Sequence, residues 1–543
     1  MLLSVNITEK SFGAKNLFSQ VNFSVSESEK VGIIGRNGIG KTTIFNILMG
    51  KDTDFTGDCI LKRGTILVAT DQEYANIGEM SVIEYILQGL PAFPKLYKIL
   101  HDFTEIESPT NRQVRDYSTA LEEFTNKNYY FVEDLVREEL KNFQLEDKAD
   151  TKFANLSGGE KRLAEVIKIM HSGAHLALID EPTNYMDFVA KAKFINWLKQ
   201  APEAILVITH DRDVLSQVDR IIEFKDAAAI EYKGNYEQYL SQNTIKTSTG
   251  MNEYEIVQRQ IENLKKQIAY ARSKKASWGG TADKRNPFVV METRCKKQLD
   301  ELQKVEKPSF WIDKTSAANL NYKDASKYEK YKARNLRIGL KAADSRSKRT
   351  IFKVENLSIG YDKPLFAGKN FELLESGTLE IRGRNGAGKS TLIKSLLDDP
   401  KVQIFAGEIK RDHNIKIGIY EQEISKDYFH LNLHDAIEKI YHDKKLSANE
   451  TKIRQLTADY LFAPEDLNIG VANLSGGQKA RLQIIKMLAD NPQLLILDEP
   501  TSHLDLPSIE ELENALQKYS GAILYISHDN YFRRNLPAAI IEI

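Results

Sequence analysis

Short apolar runs alternate with amphipathic stretches along this 543-residue chain, and the series is run through twice. Val21-Asn22-Phe23-Ser24-Val25 alternates apolar and polar at period two, the mark of a strand with one buried face. Val31-Gly32-Ile33-Ile34 then leads into a glycine-rich stretch, after which Thr43-Ile44-Phe45-Asn46-Ile47-Leu48 has helical spacing. Leu176-Ala177-Leu178-Ile179-Asp180 and Leu494-Leu495-Ile496-Leu497-Asp498 are unbroken apolar runs, as expected of central parallel strands buried on both faces. Ala204 to Thr209 and Ala522 to Ser527 read as the next strands. Strand, crossover helix and buried strand ending in an acid predict an α/β fold with a largely parallel sheet. It is expected twice, in residues 1–240 and 350–543.

The segment between, residues 241–349, carries helical periodicity and no strand pattern. Glu253 to Ser273 places Ile256, Ile261, Leu264 and Ile268 among Lys, Glu and Gln. Ser277-Trp278-Gly279-Gly280-Thr281 breaks that pattern and Pro287 follows; helix resumes from Val290 to Glu306 and again from Ala325 to Lys341. A helical hairpin with its tip near 274–287 is predicted. Charge sharpens the picture. The net charge is −1, yet Lys246 to Thr350 holds 25 Lys and Arg against 12 Asp and Glu, so the flanking modules are acidic. A basic middle between acidic ends points to a polyanionic partner.

Composition excludes several classes. The apolar fraction of 42% and charged fraction of 28% are those of an ordinary soluble protein. No apolar run approaches the roughly 20 residues that cross a bilayer, and Met1 to Ile7 lacks the features of an export signal. Cys59 and Cys295 sit far apart without metal-ligand spacing, so neither a disulfide framework nor a zinc site is expected. A cytoplasmic location without a membrane partner follows as an expectation.

The repeat is quantitative in its polar motifs. Gly35-Arg36-Asn37-Gly38-Ile39-Gly40-Lys41-Thr42 matches Gly383-Arg384-Asn385-Gly386-Ala387-Gly388-Lys389-Ser390 at an offset of 348 positions. Leu156-Ser157-Gly158-Gly159-Glu160 matches Leu474-Ser475-Gly476-Gly477-Gln478 at 318, as do Asp180 with Asp498 and His210 with His528. A duplication with one length change accounts for this, a surplus of 30 residues in the first module between Lys41 and Ser157. That surplus falls between Tyr85 and Glu133 and is polar, with helical stretches.

Each motif has a chemistry. In GxxxxGK[ST] the glycines let consecutive backbone N–H groups turn inward at a helix N-terminus, which cradles phosphates. Lys41 and Lys389 would neutralise the β- and γ-phosphates of ATP, and Thr42 and Ser390 would put a hydroxyl on Mg2+, with Thr43 and Thr391 beside them. Asp180 and Asp498, ending buried strands, would hold Mg2+ through its water shell. Glu181 and Glu499 follow directly and can polarise the attacking water. Gln72 and Gln422 each precede a glutamate and are placed to reach Mg2+ or that water. A lone strand-end His is usually structural, but His210 and His528 recur in register, each before Asp, and are assigned to the γ-phosphate. Phe12 and Tyr361 precede their glycine loops by 23 and 22 residues and are candidates to stack on adenine, although core aromatics are common.

Leu-Ser-Gly-Gly-(Glu/Gln) puts a hydroxyl and free N–H groups at a helix start, a second anion site. With it, the chain resembles ATP-binding cassette proteins over its whole length. The resemblance implies two ATP molecules sandwiched between the modules, each held by one module's glycine loop and by Ser157, Gly158, Gly159 or Ser475, Gly476, Gly477 of the other. It narrows further. Tyr232-Lys233-Gly234-Asn235-Tyr236-Glu237-Gln238-Tyr239 matches the Y-x-G-N-Y-x-x-Y pattern that closes the first module of ABC-F proteins, and a charged helical linker joins the modules as it does there. ABC-F membership implies a monomeric ATP hydrolase that binds the bacterial 70S ribosome at the tRNA exit site when loaded with ATP. Its linker would reach toward P-site tRNA and the peptidyl-transferase centre. Arg272, Lys274, Lys275, Lys284 and Arg285 would then meet RNA phosphates and Trp278 would stack on a base. The compact remainder is more similar to the branch that protects ribosomes from antibiotics. A housekeeping ABC-F factor and an exporter's ATPase subunit are the alternatives, and a DNA-maintenance ATPase would need a longer coiled coil. One departure stands out: the second module has His503-Leu504-Asp505 where the first has Tyr185-Met186-Asp187, which puts the activity of the first site in doubt.

Overall fold

The computed structural model describes residues 1–12, 15–70, 79–277, 286–339 and 349–543, without the side chains of Phe12, Lys15, Ala276 and Ser277. It divides into two compact units, Met1–Tyr236 with Leu336–Ile543, and Glu237–Asn335.

In the first unit each module is a parallel sheet with an antiparallel sheet beside it. The first module's six-stranded sheet runs Ala228–Lys233, Arg220–Lys225, Lys30–Gly35, Ala204–Ile208, Leu176–Asp180, Leu67–Ala69, parallel except at the first pair. The second module's five strands run Ile417–Tyr420, Leu494–Asp498, Ala522–Ile526, Thr378–Arg382, Ala539–Glu542, all parallel. The unbroken apolar runs lie in the middle of each sheet: every residue of Leu176–Asp180 and Ala204–Ile208 is buried. Burying each such Leu or Ile side chain stabilises by about 1.5–3 kcal/mol, which is why these strands are apolar throughout, save the acid that ends Leu176–Asp180. Register sets the chemistry, since Asp180 pairs with Ile208 and Asp498 with Ile526. The acids therefore emerge together with the glycine loops at the carboxyl ends of the strands, where open α/β sheets bind ligands.

The surplus of the first module forms two helices, Phe93–Thr104 and Asn111–Asn126, the second opened by a capping box between Thr110 and Gln113. They meet through the stacked rings of Phe103 and Tyr117, 4.1 Å apart.

The second unit is helical. Its first helix is longer than expected, Tyr236–Ser277, so the Tyr-Gly-Asn-Tyr stretch turns directly into it. Pro287–Gln303 returns, with Asn286 capping it through a 2.9 Å bond from the Phe288 N–H. The helix expected to reach Lys341 is instead Tyr322–Tyr331. Chain direction changes there because the Phe310 N–H donates to the Tyr331 carbonyl at 2.9 Å and Ala333 donates to the Phe310 carbonyl. A small core of Met251, Ile312, Tyr328 and Tyr331 holds the base of this unit. Trp278, Lys284 and Arg285 lie outside the described residues. Among the described residues no helix is long and apolar enough to cross a membrane.

Candidate active site

Both glycine loops run from a buried strand into a helix, Lys41–Leu48 or Lys389–Leu396, whose cap is a glycine in the left-handed region (Gly40 φ 103°, Gly388 φ 102°). Gly38 and Gly386 are also left-handed, with nothing within 4 Å of a Cβ placed there, so their outer side is open. Lys41 Nζ donates to the carbonyls of Gly35 (2.6 Å) and Arg36 (3.3 Å) and lies 3.1 Å from His210 Nε2. Lys389 Nζ makes the equivalent bonds to Gly383 (2.9 Å) and Arg384 (3.1 Å). Burial lowers both ammonium pKa values, against the pull of nearby carboxylates.

Beside each lysine the hydroxyl and the acid predicted for Mg2+ are already in contact. Thr42 Oγ1 donates to Asp180 Oδ2 at 3.1 Å and Ser390 Oγ to Asp498 Oδ2 at 2.9 Å. A hydroxyl and a carboxylate side by side form the hard oxygen set that suits Mg2+. Thr391 and Gln422 line the same cleft as Ser390, and Thr43 occupies the matching turn of helix Lys41–Leu48. Gln72 and the side chain of Phe12 lie outside the described residues.

Glu181 and Glu499 sit at φ 46° and 50°, left-handed values that a non-glycine residue adopts only under local strain, of the kind that collects at reacting centres. Each is pinned by its own N–H, which donates to Ile208 or Ile526 of the adjacent strand. Glu181 Oε1 is 3.8 Å from His210 Nε2, and Glu499 Oε1 is 3.5 Å from His528 Nε2. Burial pushes the Glu499 carboxyl up to about 7, and burial followed by the charge of Asp180 raises Glu181 further. Burial, then the neighbouring lysine, depresses His210 to about 3 and His528 to about 4, so both imidazoles are neutral near pH 7. His210 Nδ1 is buried with no hydrogen-bond partner. A polar atom left so in a region of loop N–H groups and cations fits a site built for an anion.

The serine motifs explain themselves locally. Ser157 accepts from the Glu160 N–H while Glu160 Oε2 accepts the Ser157 N–H at 2.8 Å. Ser475 and Gln478 repeat this capping box.

The modules meet so that these caps face the opposite glycine loops. A cleft of about 660 Å³ is lined by Ser157, Gly158 and Gly159 of the first module and by Asn385, Gly386, Lys389 and Ser390 of the second, with Tyr361 at its wall. That volume is in the range of small-molecule sites. On the other side Gly477 lies so near Asn37 that an added Cβ would fall 2.1 Å from Asn37 Nδ2. Gly476 packs against His503, whose Nδ1 would be 3.2 Å from such a Cβ. The glycine loops and the Tyr185-Met186-Asp187 and His503-Leu504-Asp505 stretches lock this contact. Asp187 Oδ2 accepts the Asn385 N–H (3.2 Å), and Asp505 Oδ2 accepts the Asn37 N–H (3.3 Å). Asn385 Nδ2 donates to the Tyr185 carbonyl (3.1 Å) and Asn37 Nδ2 to that of His503 (2.8 Å). The sequence marked these stretches as matching motifs but not that Asp187 and Asp505 reach across to the opposite glycine loop. Tyr185 thus belongs to the site of Lys389, and its departure from His bears on that site, not on the one holding Lys41 as expected.

In the second unit Arg272 and Lys275 both approach Glu292, at 3.0 and 3.7 Å, and Lys274 lies over the Tyr270 ring. These three cations share one stretch of helix Tyr236–Ser277.

Comparison with known proteins agrees with this geometry. The family model described as ABC transporter matches residues 18–184 and 366–502. The chain is 27% identical to the ribosome protection protein VmlR of Bacillus subtilis, over 97% of this chain and 84% of that one. It is 26% identical to the energy-dependent translational throttle protein EttA of Mycobacterium tuberculosis, over 96% and 88%. In fold it is similar to the archaeal ribosome recycling factor aABCE1, solved in complex with the ribosomal stalk protein aP1. The TM-score there is 0.56 at 16% identity, over 99% of this chain and 87% of that one. With more than half its length matched, and each match running from a glycine loop to the acid motif just described, the chain belongs to the ABC transporter family as two fused ATP-binding cassettes, and ATP hydrolysis is its activity.

Proposed function

We propose that this ATPase is an ABC-F protein that works on the bacterial ribosome, binding at the exit site in its ATP-bound state and releasing on hydrolysis. The reading is carried by one observation: Ser157-Gly158-Gly159 of one module and the Lys389 loop of the other line a single cleft. Nucleotide bound there touches both modules, so its γ-phosphate decides whether they stay together. Lys41 and Lys389, now turned onto their own loop carbonyls, would swing onto the β- and γ-phosphates, and Ser157 and Ser475 would complete the triphosphate from the opposite side. Thr42 with Asp180, and Ser390 with Asp498, would hold Mg2+, which offsets phosphate charge. Glu181 and Glu499 would orient the attacking water, and neutral His210 and His528 would contact the γ-phosphate.

The ribosomal part rests on the basic linker and on relatives named for ribosome protection and translational throttling. Arg272, Lys274, Lys275, Lys284 and Arg285 would engage rRNA or P-site tRNA phosphates and Trp278 a base. Protection against drugs at the peptidyl-transferase centre is the outcome favoured here. The likeness to EttA supports a second reading, a housekeeping factor that gates translation.

Glu181→Gln with Glu499→Gln should slow hydrolysis and retain the protein on 70S particles when sedimented with ATP. Equal distribution of variant and wild type would overturn the clamp. Expression in a drug-susceptible bacterium separates the two readings: inhibitory concentrations unchanged for every peptidyl-transferase drug would sink the protective one.

A further inference from the structure

The seam between the modules carries a cation that no motif predicts. Lys191 lies in the first turn of helix Phe188–Gln200, directly behind Asp187, and only 4% of it is exposed. Its ammonium lies 2.8 Å from Asp211 Oδ2 and 2.6 Å from Asp213 Oδ2, both just after His210 in its own module. Its third contact crosses to the other module, donating to the His528 carbonyl at 3.3 Å. His528 in turn donates its own N–H to Glu499 Oε2 at 3.2 Å. One side chain therefore touches the histidine loops of both ATP sites. It also lines a chamber of about 50 Å³ together with Glu181, His210, Glu499 and His528. Burial lowers its pKa, but Asp211 and Asp213 outweigh burial and raise it above the ordinary lysine value.

The arrangement runs one way. At the 318-residue offset the counterpart of Lys191 is Ile509, which has no N–H to donate from its side chain, and the counterparts of Arg212 and Asp213 are Asn530 and Tyr531. The first module also supplies the neighbouring cross-seam cation: Arg212 pairs with Glu513 and, at 3.0 Å, with Asp529, the residue after His528. Around the His528 loop the cations come from the first module, whereas at the glycine loop the order reverses, with Arg384 of the second module 3.4 Å from Asp187 of the first.

We infer that Lys191 is a positioning residue acting in trans: from the first module it fixes the His528 loop, and through it Glu499, so the Lys389 site hydrolyses ATP only while the first module is docked. The inference rests on the roles proposed above for Glu499 and His528. Hydrolysis at the Lys41 site, by letting Asp211 and Asp213 shift, would withdraw Lys191 and slacken the second site, coupling the two in one direction.

The test uses the full chain with one site silenced. Glu181→Gln leaves the Lys389 site to report, and Glu499→Gln leaves the Lys41 site. Lys191→Met should lower kcat about tenfold in the first background with KM for ATP changed less than about twofold, and at least about fivefold less in the second background. Lys191→Arg should recover most of the loss. Because Lys191→Met takes the cation from two half-buried aspartates, Lys191→Met with Asp213→Asn serves where the single variant does not fold. Equal losses in both backgrounds, tracking a lowered melting temperature, would reduce Lys191 to a structural pillar and overturn the inference; so would no loss in either. If the two Gln variants leave turnover at wild-type level, the assignment of the glutamates falls, and this inference with it. If they slow turnover and Lys191→Met does not distinguish them, only this inference falls.

Discussion

Asp187 of the first module accepts a 3.2 Å hydrogen bond from the backbone N–H of Asn385 in the second. The same carboxylate, through its other oxygen, accepts from Val189 and Ala190 and caps its own helix. One side chain thus ends a helix in one cassette and holds the glycine loop of the other. Asp187→Ser separates the two jobs, since serine caps a helix about as well as aspartate but cannot span the seam. It should cost under about 1 kcal/mol in stability while lowering ATP turnover about tenfold. Thermal unfolding and steady-state ATPase check this together. Unaltered turnover would mean the cross-module bond is idle.

Gly477 makes stability and activity part company. It lies in helix Gly476–Leu488 with no left-handed φ, so alanine fits the backbone and should favour the helix by up to about 1 kcal/mol. Its Cβ, however, would fall 2.1 Å from Asn37 Nδ2 and 3.1 Å from Asn37 Cβ, so the whole Asn37 side chain must leave its bond to His503. Gly477→Ala should keep or raise the melting temperature and still reduce turnover several-fold. A drop in melting temperature with unchanged turnover would contradict the close approach.

Tyr185 and His503 occupy matching loops in different conformations: His503 is left-handed at φ 65°, and Tyr185 is not. What Tyr185 gives Asn385 is its main-chain carbonyl, which any residue supplies. Its ring instead packs on Gly159, where an added Cβ would come within 2.9 Å of it. Tyr185→His should therefore change kcat only about two- to fivefold, and only when Glu181→Gln leaves the Lys389 site to report. A change confined to the Glu499→Gln background would place Tyr185 in the wrong site.

The difference between what was legible and what was not follows from range. Leu176–Asp180 and Leu494–Asp498 announce themselves because a strand buried on both faces must be apolar throughout. The glycine loops are legible because left-handed backbone at Gly40 and Gly388 demands glycine. Ser157 and Glu160 are three residues apart, within reach of one helical turn. Asp187 to Asn385 and Lys191 to His528 are contacts between modules, and nothing local distinguishes these side chains from an ordinary helix cap or a surface lysine. The linker helix expected to reach Lys341 ends at Tyr331 for a similar reason: a distant strand-like pairing with Phe310 overrides its local helical pattern.

Glu292 sets how much charge the linker can offer a polyanion. Its carboxylate takes Lys296 at 2.8 Å, Arg272 at 3.0 Å and Lys275 at 3.7 Å, and these partners, Lys296 first, push its pKa down to about 2. A carboxyl depressed in the folded state stabilises above its ordinary value of 4.5 and ceases to as pH falls toward about 2. Glu292→Gln should thus loosen the two helices at neutral pH, and its difference from wild type should vanish as acid protonates the native residue. The same change releases Arg272 and Lys275 from their shared acid. If those cations meet phosphates, the full-length variant should bind single-stranded RNA more tightly. The slope of log affinity against log salt should then steepen by about 0.7, the value for one more neutralised phosphate on a single strand. Filter binding over a salt series measures it. Unchanged affinity and slope would mean that this stretch of helix meets no nucleic acid, and the basic balance of the linker would then serve only to keep it solvated.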